Sequence, residues 1–346
     1  MIPTGVLIVP IGIICFLCGT MYCVFYSNLP KRAWVAPREV AITTPPPLES
    51  QIWKITLPMK TSQFSLAPMP LSFCSRVRAP RMSPSFEIHR NATIPYSNKD
   101  DKFWVRVGAA WLNTHDPHVD QYISGSLHQS GTWEAPIVRA MESLLAKKPN
   151  ALFVDVGANI GYFSLYATLM GMRVVSFEPM LYNIVQIQRT LGRNNGLSKW
   201  RIYNNAVSDV TGDVVRLRTT DGVHNAGNHK IGPHGDEAYT VRLDDVIHED
   251  VDLMKVDVEG YEAFVLAGGI NLFCQYTVRA LILEMTQDIQ MSGCNVGQML
   301  KWLECMGYEM RSLQNALGPK IHSQGRESNV LWVLDEKKRQ DCCGQY

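Results

Sequence analysis

The sequence predicts an α/β fold: a doubly wound, mostly parallel sheet with helices on both faces, preceded by an N-terminal transmembrane helix and a proline-rich stalk. Three observations carry this expectation. From about residue 104, short β-rich runs alternate with helix-length apolar stretches, a rhythm that implies right-handed crossovers between parallel strands. A glycine-bearing turn, Asp155-Val156-Gly157-Ala158-Asn159-Ile160-Gly161, follows the first of these strands, and an acid, Glu178, closes the second.

At the N-terminus, residues 5–26 (GVLIVPIGIICFLCGTMYCVFY) contain no charged residue. As a helix they would reach roughly 33 Å, about the hydrocarbon thickness of a bilayer. The preceding MIPT offers no Lys or Arg, and the apolar run is longer than a signal-peptide core. Residues 1–26 are therefore expected to be a retained anchor of a single-pass membrane protein, in an endomembrane such as the ER or Golgi. Two signals for its orientation conflict. Lys31, Arg32 and Arg38 favour a cytoplasmic chain, whereas the sequon Asn91-Ala92-Thr93 favours a lumenal one.

Residues 27–103 read as a spacer, because 11 of the 19 prolines fall between Pro30 and Pro95. Such a segment favours extended conformations and lacks the backbone donors that a packed core needs. A lead-in helical segment is expected over 104–150, the main α/β domain over 151–336 and a tail over 337–346. The whole chain of 346 residues is 46% hydrophobic and 19% charged, which excludes a disordered protein. A formal charge of +1 supplies no basic field, so a nucleic-acid partner is not expected. Cys74, Cys274, Cys294, Cys305, Cys342 and Cys343 show no zinc spacing, and disulfides are compatible with a lumenal domain.

Within the domain, ALFVDV (151–156) reads as a strand buried on both faces, and 161–170 as the helix after it. RVVSFE (173–178) is a second strand, followed by a helix through LYNIVQIQRTLGRNNG that an Asn-Asn-Gly run stops. KWRIYNNAV supplies a third strand and VDLMKVDV (251–258) a fourth, with a single helix over EGYEAFVLAGG. VRALILEM (278–285), a helix around GQMLKWLECMG, and the strands YEMRSL and NVLWVL complete the series. Ligands of such sheets gather at the carboxyl ends of the strands.

The turn after the first strand is therefore the place to look for a ligand. Its glycines allow a tight bend and close backbone approach, and the following helix directs amides toward whatever sits there. Glu178, 17 positions after Gly161, can accept both hydroxyls of a ribose. The order is G-x-N-x-G, not the G-x-G-x-x-G of a nicotinamide site, and Asn159 stands where a pyrophosphate would need glycine. A ligand without phosphates fits this departure better.

These residues resemble the FkbM-type S-adenosylmethionine-dependent methyltransferases. The likeness lies in FVDVGANIGYFSL, VVSFEP, NNAVSD followed by Gly212, LMKVDVEGYEAFVLAGG, MGYEM and SNVLWV, in family order over roughly residues 130–334. TWEAPIVRAMESLLAKKP resembles the family's lead-in helix. The resemblance implies a class I methyltransferase, Rossmann-like fold with S-adenosylmethionine as cofactor. Asp155, Gly157, Asn159 and Gly161 would cradle the methionine and sulfonium part, and Glu178 the ribose. Asn205 occupies the position where relatives often carry an acid near adenine, with Asp209 as the fallback.

Methyl transfer is an in-line displacement, so the protein must align two partners and, for a hydroxyl acceptor, help remove a proton. Lys255, Asp257 and Glu259 in KVDVEG are the candidates, because alternate strand residues share a face and this strand ends beside the cofactor turn. Glu284, at the end of LILEM, can join them. Converging carboxylates there can act as a base, position a hydroxyl or hold a divalent metal, and no metal is assigned. The bland alternatives are that Glu259 favours the next helix N-terminus and that Lys255 only neutralises Asp257.

His224, His229 and His234 recur at spacing five, which suits neither a helix face nor a strand face; a glycine-rich loop over the substrate is expected there. HDPHVD (115–120) reads as a polar turn, and Trp104, Trp111 and Trp133 as packing residues. The expected activity is membrane-anchored O-methylation of a hydroxyl on a carbohydrate or small metabolite, oxygen being implied by the resemblance. A Rossmann-type oxidoreductase and a catalytically silent membrane scaffold are the alternatives.

Overall fold

The computed structural model describes residues 87–88, 102–146, 148–195, 197–219, 229–231, 234–285, 294–317 and 329–340. All of these fall within one compact unit, Ser65–Tyr346. The expected anchor, nearly all of the stalk, His224 and the end of the tail lie outside the described residues. Among the described residues, no helix is long and apolar enough to cross a membrane.

The elements in chain order are β1 (Glu87–Ile88), β2 (Trp104–Val107), β3 (Ala110–Asn113), α1 (Ile123–Ser130), α2 (Ala135–Leu145), β4 (Leu152–Val156), α3 (Tyr162–Leu169), β5 (Arg173–Phe177) and α4 (Leu181–Arg193). They continue with β6 (Trp200–Tyr203), β7 (Ala206–Val207), β8 (Val214–Thr219), β9 (His229–Ile231), β10 (Asp236–Val241), β11 (Leu253–Val256), α5 (Glu262–Ala267) and α6 (Ile270–Gln275). Last come β12 (Ala280–Glu284), α7 (Val296–Cys305), β13 (Tyr308–Arg311) and β14 (Asn329–Leu334).

The main sheet runs β1-β6-β5-β4-β11-β12-β14-β13. Its five central strands, β6 to β12, are mutually parallel, and β1, β14 and β13 add antiparallel edges. β4 and β11 therefore sit side by side where the winding direction reverses, with Lys255 opposite Asp155 and Val256 opposite Val156. Period-2 alternation sorts each central strand between two cores. Leu152, Val154, Val156, Met254 and Val256 pack with Phe264, Phe273 and Trp302 on one face. Ala151, Phe153 and Leu253 pack with Met141, Leu165 and Ile187 on the other. Asp155 and Lys255 share the parity of this second face, so the strands bring charge into a layer that is otherwise apolar.

Two expectations are corrected. The run KWRIYNNAV is not one strand: it breaks at Asn204–Asn205, leaving β6 in the main sheet and β7 in a separate four-stranded sheet, β7-β10-β8-β9. The asparagine amides cause the break by taking backbone carbonyls, Asn204 Nδ2 those of Glu178 and Pro179 (both 2.9 Å) and Asn205 Nδ2 that of Tyr239 (3.2 Å). EGYEAFVLAGG carries the one expected helix, α5, and α6 begins just beyond it, capped independently by Asp244, which accepts from the Leu272 amide at 2.8 Å. Part of the expected histidine loop is strand β9, paired with β8.

The lead-in segment opens with the β2–β3 hairpin before its helices. Asn194, at the end of α4, docks this hairpin by accepting from the Trp111 amide (2.8 Å) and donating to its carbonyl (2.6 Å). Arg193 lies between the Trp104 and Trp111 rings, 4.4 and 4.7 Å from their centroids. Asn194→Ala strands both backbone groups in a buried seam and is expected to cost about 2 kcal/mol, measured as a lowered urea midpoint at unchanged m-value; an unchanged midpoint would show that the ring contacts and the Asn113 amide bond to Thr190 Oγ1 (2.9 Å) hold the hairpin without Asn194.

Candidate active site

Two turns meet at the carboxyl ends of β4 and β11. Gly157 has φ +84°, and a Cβ placed there would stand 1.9 Å from the Asp257 carbonyl oxygen. The first turn can press against the second only because that side chain is missing. Gly161 serves a different neighbour: its Cβ would meet the buried Trp200 ring at 2.7 Å. Gly161 thus closes the turn against β6, and it does not line the cleft formed here, whereas Gly157, Ala158 and Asn159 do.

Glu178 is buried and braced by three donors. Its Oε2 accepts from the Asn159 amide (2.8 Å), and its Oε1 from the Met180 amide (2.8 Å) and Asn183 Nδ2 (3.2 Å). Burial pushes its carboxyl up to about 7, against the pull of these hydrogen bonds. Asn159 holds φ 52°, a left-handed conformation that asparagine tolerates, and this aims its amide at Glu178. Beside Glu178 the cleft is lined by Asn205 and by the apolar side chains of Met180, Val207, Leu217 and Ile231.

The opposite end is charged. Lys255, 3% exposed, donates to Asp257 Oδ2 at 2.8 Å, and the Asp257 side chain keeps 24% of its surface open. Burial alone would lower the ammonium, but Asp257, Asp155 and Glu134 together hold it above the usual lysine range. Asp257 stays below the usual carboxylate range because Lys255 outweighs its burial. Glu284 goes the other way: burial and the neighbouring charges of Asp257 and Glu259 push it up to about 10, so it remains protonated and hydrogen-bonded to Asp257. Asp257 and Glu284 thus act as an acid–carboxylate pair, and Glu284 by itself is no base at neutral pH.

Asp155 and Asp209 do not line the cleft. Asp155 lies beneath it, fully buried, accepting from Ser164 Oγ at 2.6 Å and supporting Lys255 by charge. Asp209 accepts from Ser208 Oγ at 3.0 Å. Glu259 lines the cleft at φ 55°. The helix-terminus role considered for it belongs to Glu262, which accepts from the Val258 amide (3.0 Å) and the Gly260 amide (3.2 Å) and so clamps the second turn. His229 opens β9, and His234 stands exposed before β10.

Sequence reasoning missed Glu134. It precedes α2 at φ 41°, makes no capping hydrogen bond, and accepts instead from Asn329 Nδ2 at 2.9 Å. Its burial raises its carboxyl, which faces the cleft with Trp133. The available signal was an acid directly before a proline-started helix in TWEAP, where a capping role is the ordinary reading. Trp133 likewise lines the cleft, unlike Trp104 and Trp111. Among the described residues, no group of three or more His, Cys, Asp or Glu is arranged to hold a metal ion.

Because Glu284 keeps its proton in the folded state, the unfolded chain releases that proton first as pH rises. This group therefore subtracts stability progressively from about pH 4.5 to about pH 10. Glu284→Gln keeps a donor for Asp257 but cannot ionise. Its melting temperature is expected to fall less than that of the wild type between about pH 6 and about pH 9; parallel curves would mean that Glu284 is already ionised at neutral pH.

No curated protein matches this chain. Among solved structures, it is similar to an FkbM methyltransferase from Methylobacillus flagellatus, at 18% identity and a TM-score of 0.38, over 56% of this chain and 47% of that one. The chain thus spans about half the length of that protein. It is also similar to a TehB-like SAM-dependent methyltransferase from Corynebacterium glutamicum (15% identity, TM-score 0.35, 61% of this chain and 94% of that one). The C-terminal domain of precorrin-6Y C5,15-methyltransferase from Rhodobacter capsulatus is a third similar structure (13%, 0.32, 59% and 90%). Residues 155–310, which carry both turns, Glu178 and the Asp257–Glu284 pair, match the model of the methyltransferase FkbM domain.

Proposed function

We propose that the cleft binds S-adenosylmethionine and that the domain transfers its methyl group to a hydroxyl of a carbohydrate or small metabolite. The observation that carries this reading is the placement of Asp257, ionised beside a buried lysine and partly open, in the same cleft as the braced Glu178. The residues fit the cofactor. Glu178 Oε2, which accepts only the Asn159 amide, retains an acceptor site for a ribose hydroxyl, and Met180, Val207, Leu217 and Ile231 offer an apolar bed for a purine. Glu284 Oε2 is buried with no protein partner among the described residues, leaving an acceptor position at the charged end.

When bound, the cofactor supplies an electrophilic methyl group on a sulfonium. The chain supplies alignment and proton management. Asp257 accepts a hydrogen bond from the acceptor hydroxyl and so aims its oxygen. Its lowered basicity suits it to take the proton as the bond to carbon forms, when the hydroxyl becomes acidic, and not beforehand. Lys255 keeps Asp257 ionised, and Glu284 shares its own proton with Asp257 as charge shifts.

Incubation of the protein with labelled S-adenosylmethionine and extracted glycans or lipids, followed by mass spectrometry, identifies the product. Asp257→Asn is expected to leave cofactor affinity within about threefold while lowering turnover by about 100-fold or more. Normal turnover in this variant would remove Asp257 from the mechanism. Glu178→Ala is expected to weaken cofactor binding itself, measured by calorimetry.

We further propose that residues 5–26 anchor the protein in an endomembrane with the domain on the lumenal side. Cys274, Cys294 and Cys305 are each disulfide-bonded, a state that supports an oxidising compartment. The sequon at Asn91 agrees with it, against the basic residues after the span. A cell-expressed protein is then expected to lose apparent mass on glycosidase treatment, and Asn91→Gln to abolish that shift. An unshifted wild-type protein would favour the cytoplasmic face.

A further inference from the structure

The cofactor arm of the cleft reaches back into the lead-in segment, upstream of the family-matched residues. Asn183 Nδ2 donates to Glu178 Oε1 at 3.2 Å, and Asn183 Oδ1 lies 2.8 Å from His115 Nε2. His115 Nδ1 lies 3.3 Å from Gln186 Nε2, while Gln186 Oε1 accepts from Arg189 Nη1 at 3.3 Å. The polarity of this chain is forced from both ends. Above about pH 7, where Glu178 is ionised, it only accepts, so the Asn183 amide nitrogen faces it and leaves a carbonyl oxygen for His115. Arg189 only donates, so Gln186 turns its oxygen to Arg189 and its nitrogen to His115. His115 must then carry its proton on Nε2 and accept at Nδ1. The surroundings keep it neutral: its burial lowers its basicity, against the hydrogen bond to Asn183 and the charge of Asp120 and together with that of Arg189. Tyr182 packs on its ring at 5.3 Å.

We propose that His115 is a positioning residue for the cofactor site: its neutral Nε2–H tautomer, acting through Asn183, fixes Glu178 in the orientation that receives a ribose hydroxyl. Without that N–H, the Asn183 side chain can rotate and Glu178 loses one of its three donors. This assignment rests on the S-adenosylmethionine reading of the cleft. It also gives HDPHVD a role beyond a turn, because its first residue serves the cofactor pocket while Asp116 and Asp120 hold the turn, accepting from the amides of His118 (2.8 Å) and Ser124 (2.9 Å).

Calorimetry on the full-length protein with two probes, S-adenosylhomocysteine and its 2′,3′-dideoxy analogue, tests the assignment. His115→Phe keeps a ring against Tyr182 and removes the donor. It is expected to weaken S-adenosylhomocysteine by about tenfold and to leave the dideoxy analogue within about twofold. His115→Gln, which can present an N–H to Asn183, is expected to restore most of the loss. In a Glu178→Ala background, His115→Phe is expected to add nothing, because the two residues act along one chain. Equal losses on both probes, or additive losses in the double variant, would overturn the proposal by assigning His115 a general packing role. Should His115→Phe fail to fold, Asn183→Ser breaks the same chain and carries the same expectations. A wild-type protein that binds neither probe overturns the cofactor reading along with this one. Wild-type binding with an unaffected His115→Phe overturns this one alone.

Discussion

The structure depends on one ammonium group sealed between sheet and helix. Lys255 lies in the central strand β11, on the face where its neighbours are apolar, and its charge is tolerable there only because carboxylates surround it. Asp257 takes its proton-bearing end directly, Asp155 faces it from the adjacent strand, and Glu134 approaches from the turn before α2. Its nitrogen also stands 5.0 Å from the centre of the Phe163 ring. Each of these groups is costly to bury alone, and each is stabilised by the others. The same balance sets the chemistry: an ionised Asp257, a protonated Glu284 and a cleft that ends in charge.

Around that centre the backbone is held by acids that perform no chemistry of their own. Glu262 gathers two amides of the turn after β11, and Glu178 gathers the Asn159 and Met180 amides from the turns after β4 and β5. Below the sheet surface, Ser164 links Asp155 to Ser176 (2.6 and 2.8 Å), and Trp200 donates its indole N–H to Ser176. Trp200 is also the ring against which Gly161 closes. A turn placed by packing and a carboxylate placed by amides are thus parts of one connected arrangement. The lead-in segment belongs to it as well, through Glu134 at one end of the cleft and His115 behind the other.

Much of this was legible in the chain. Apolar runs located β4, β5, β11 and β12 to within two residues, because strands buried on both faces leave little freedom in composition. G-x-N-x-G and the acid at the end of the next strand located the Glu178 end of the cleft, since a tight turn and a buried carboxylate place direct demands on residue type. KVDVEG located the charged end. Less legible were the small second sheet, created by two asparagine side chains that interrupt a run of strand-forming residues, and the division of labour between Glu259 and Glu262. Glu134, Asn183 and His115 were not legible at all as site residues. Nothing in local spacing connects a residue before α2, one in α4 and one after β3.

What the sequence determined by itself was the fold class, the two turns that face each other and the residue types that line them, because these follow from periodicity and from steric and chemical demands on single positions. Tertiary structure alone decided which carboxylate is ionised and which is protonated, which glycine serves a cleft-lining turn and which a buried ring, and which distant residues complete the cleft. Those properties depend on burial and on charges a few ångströms away in space, and neither distance is written in the order of residues along the chain.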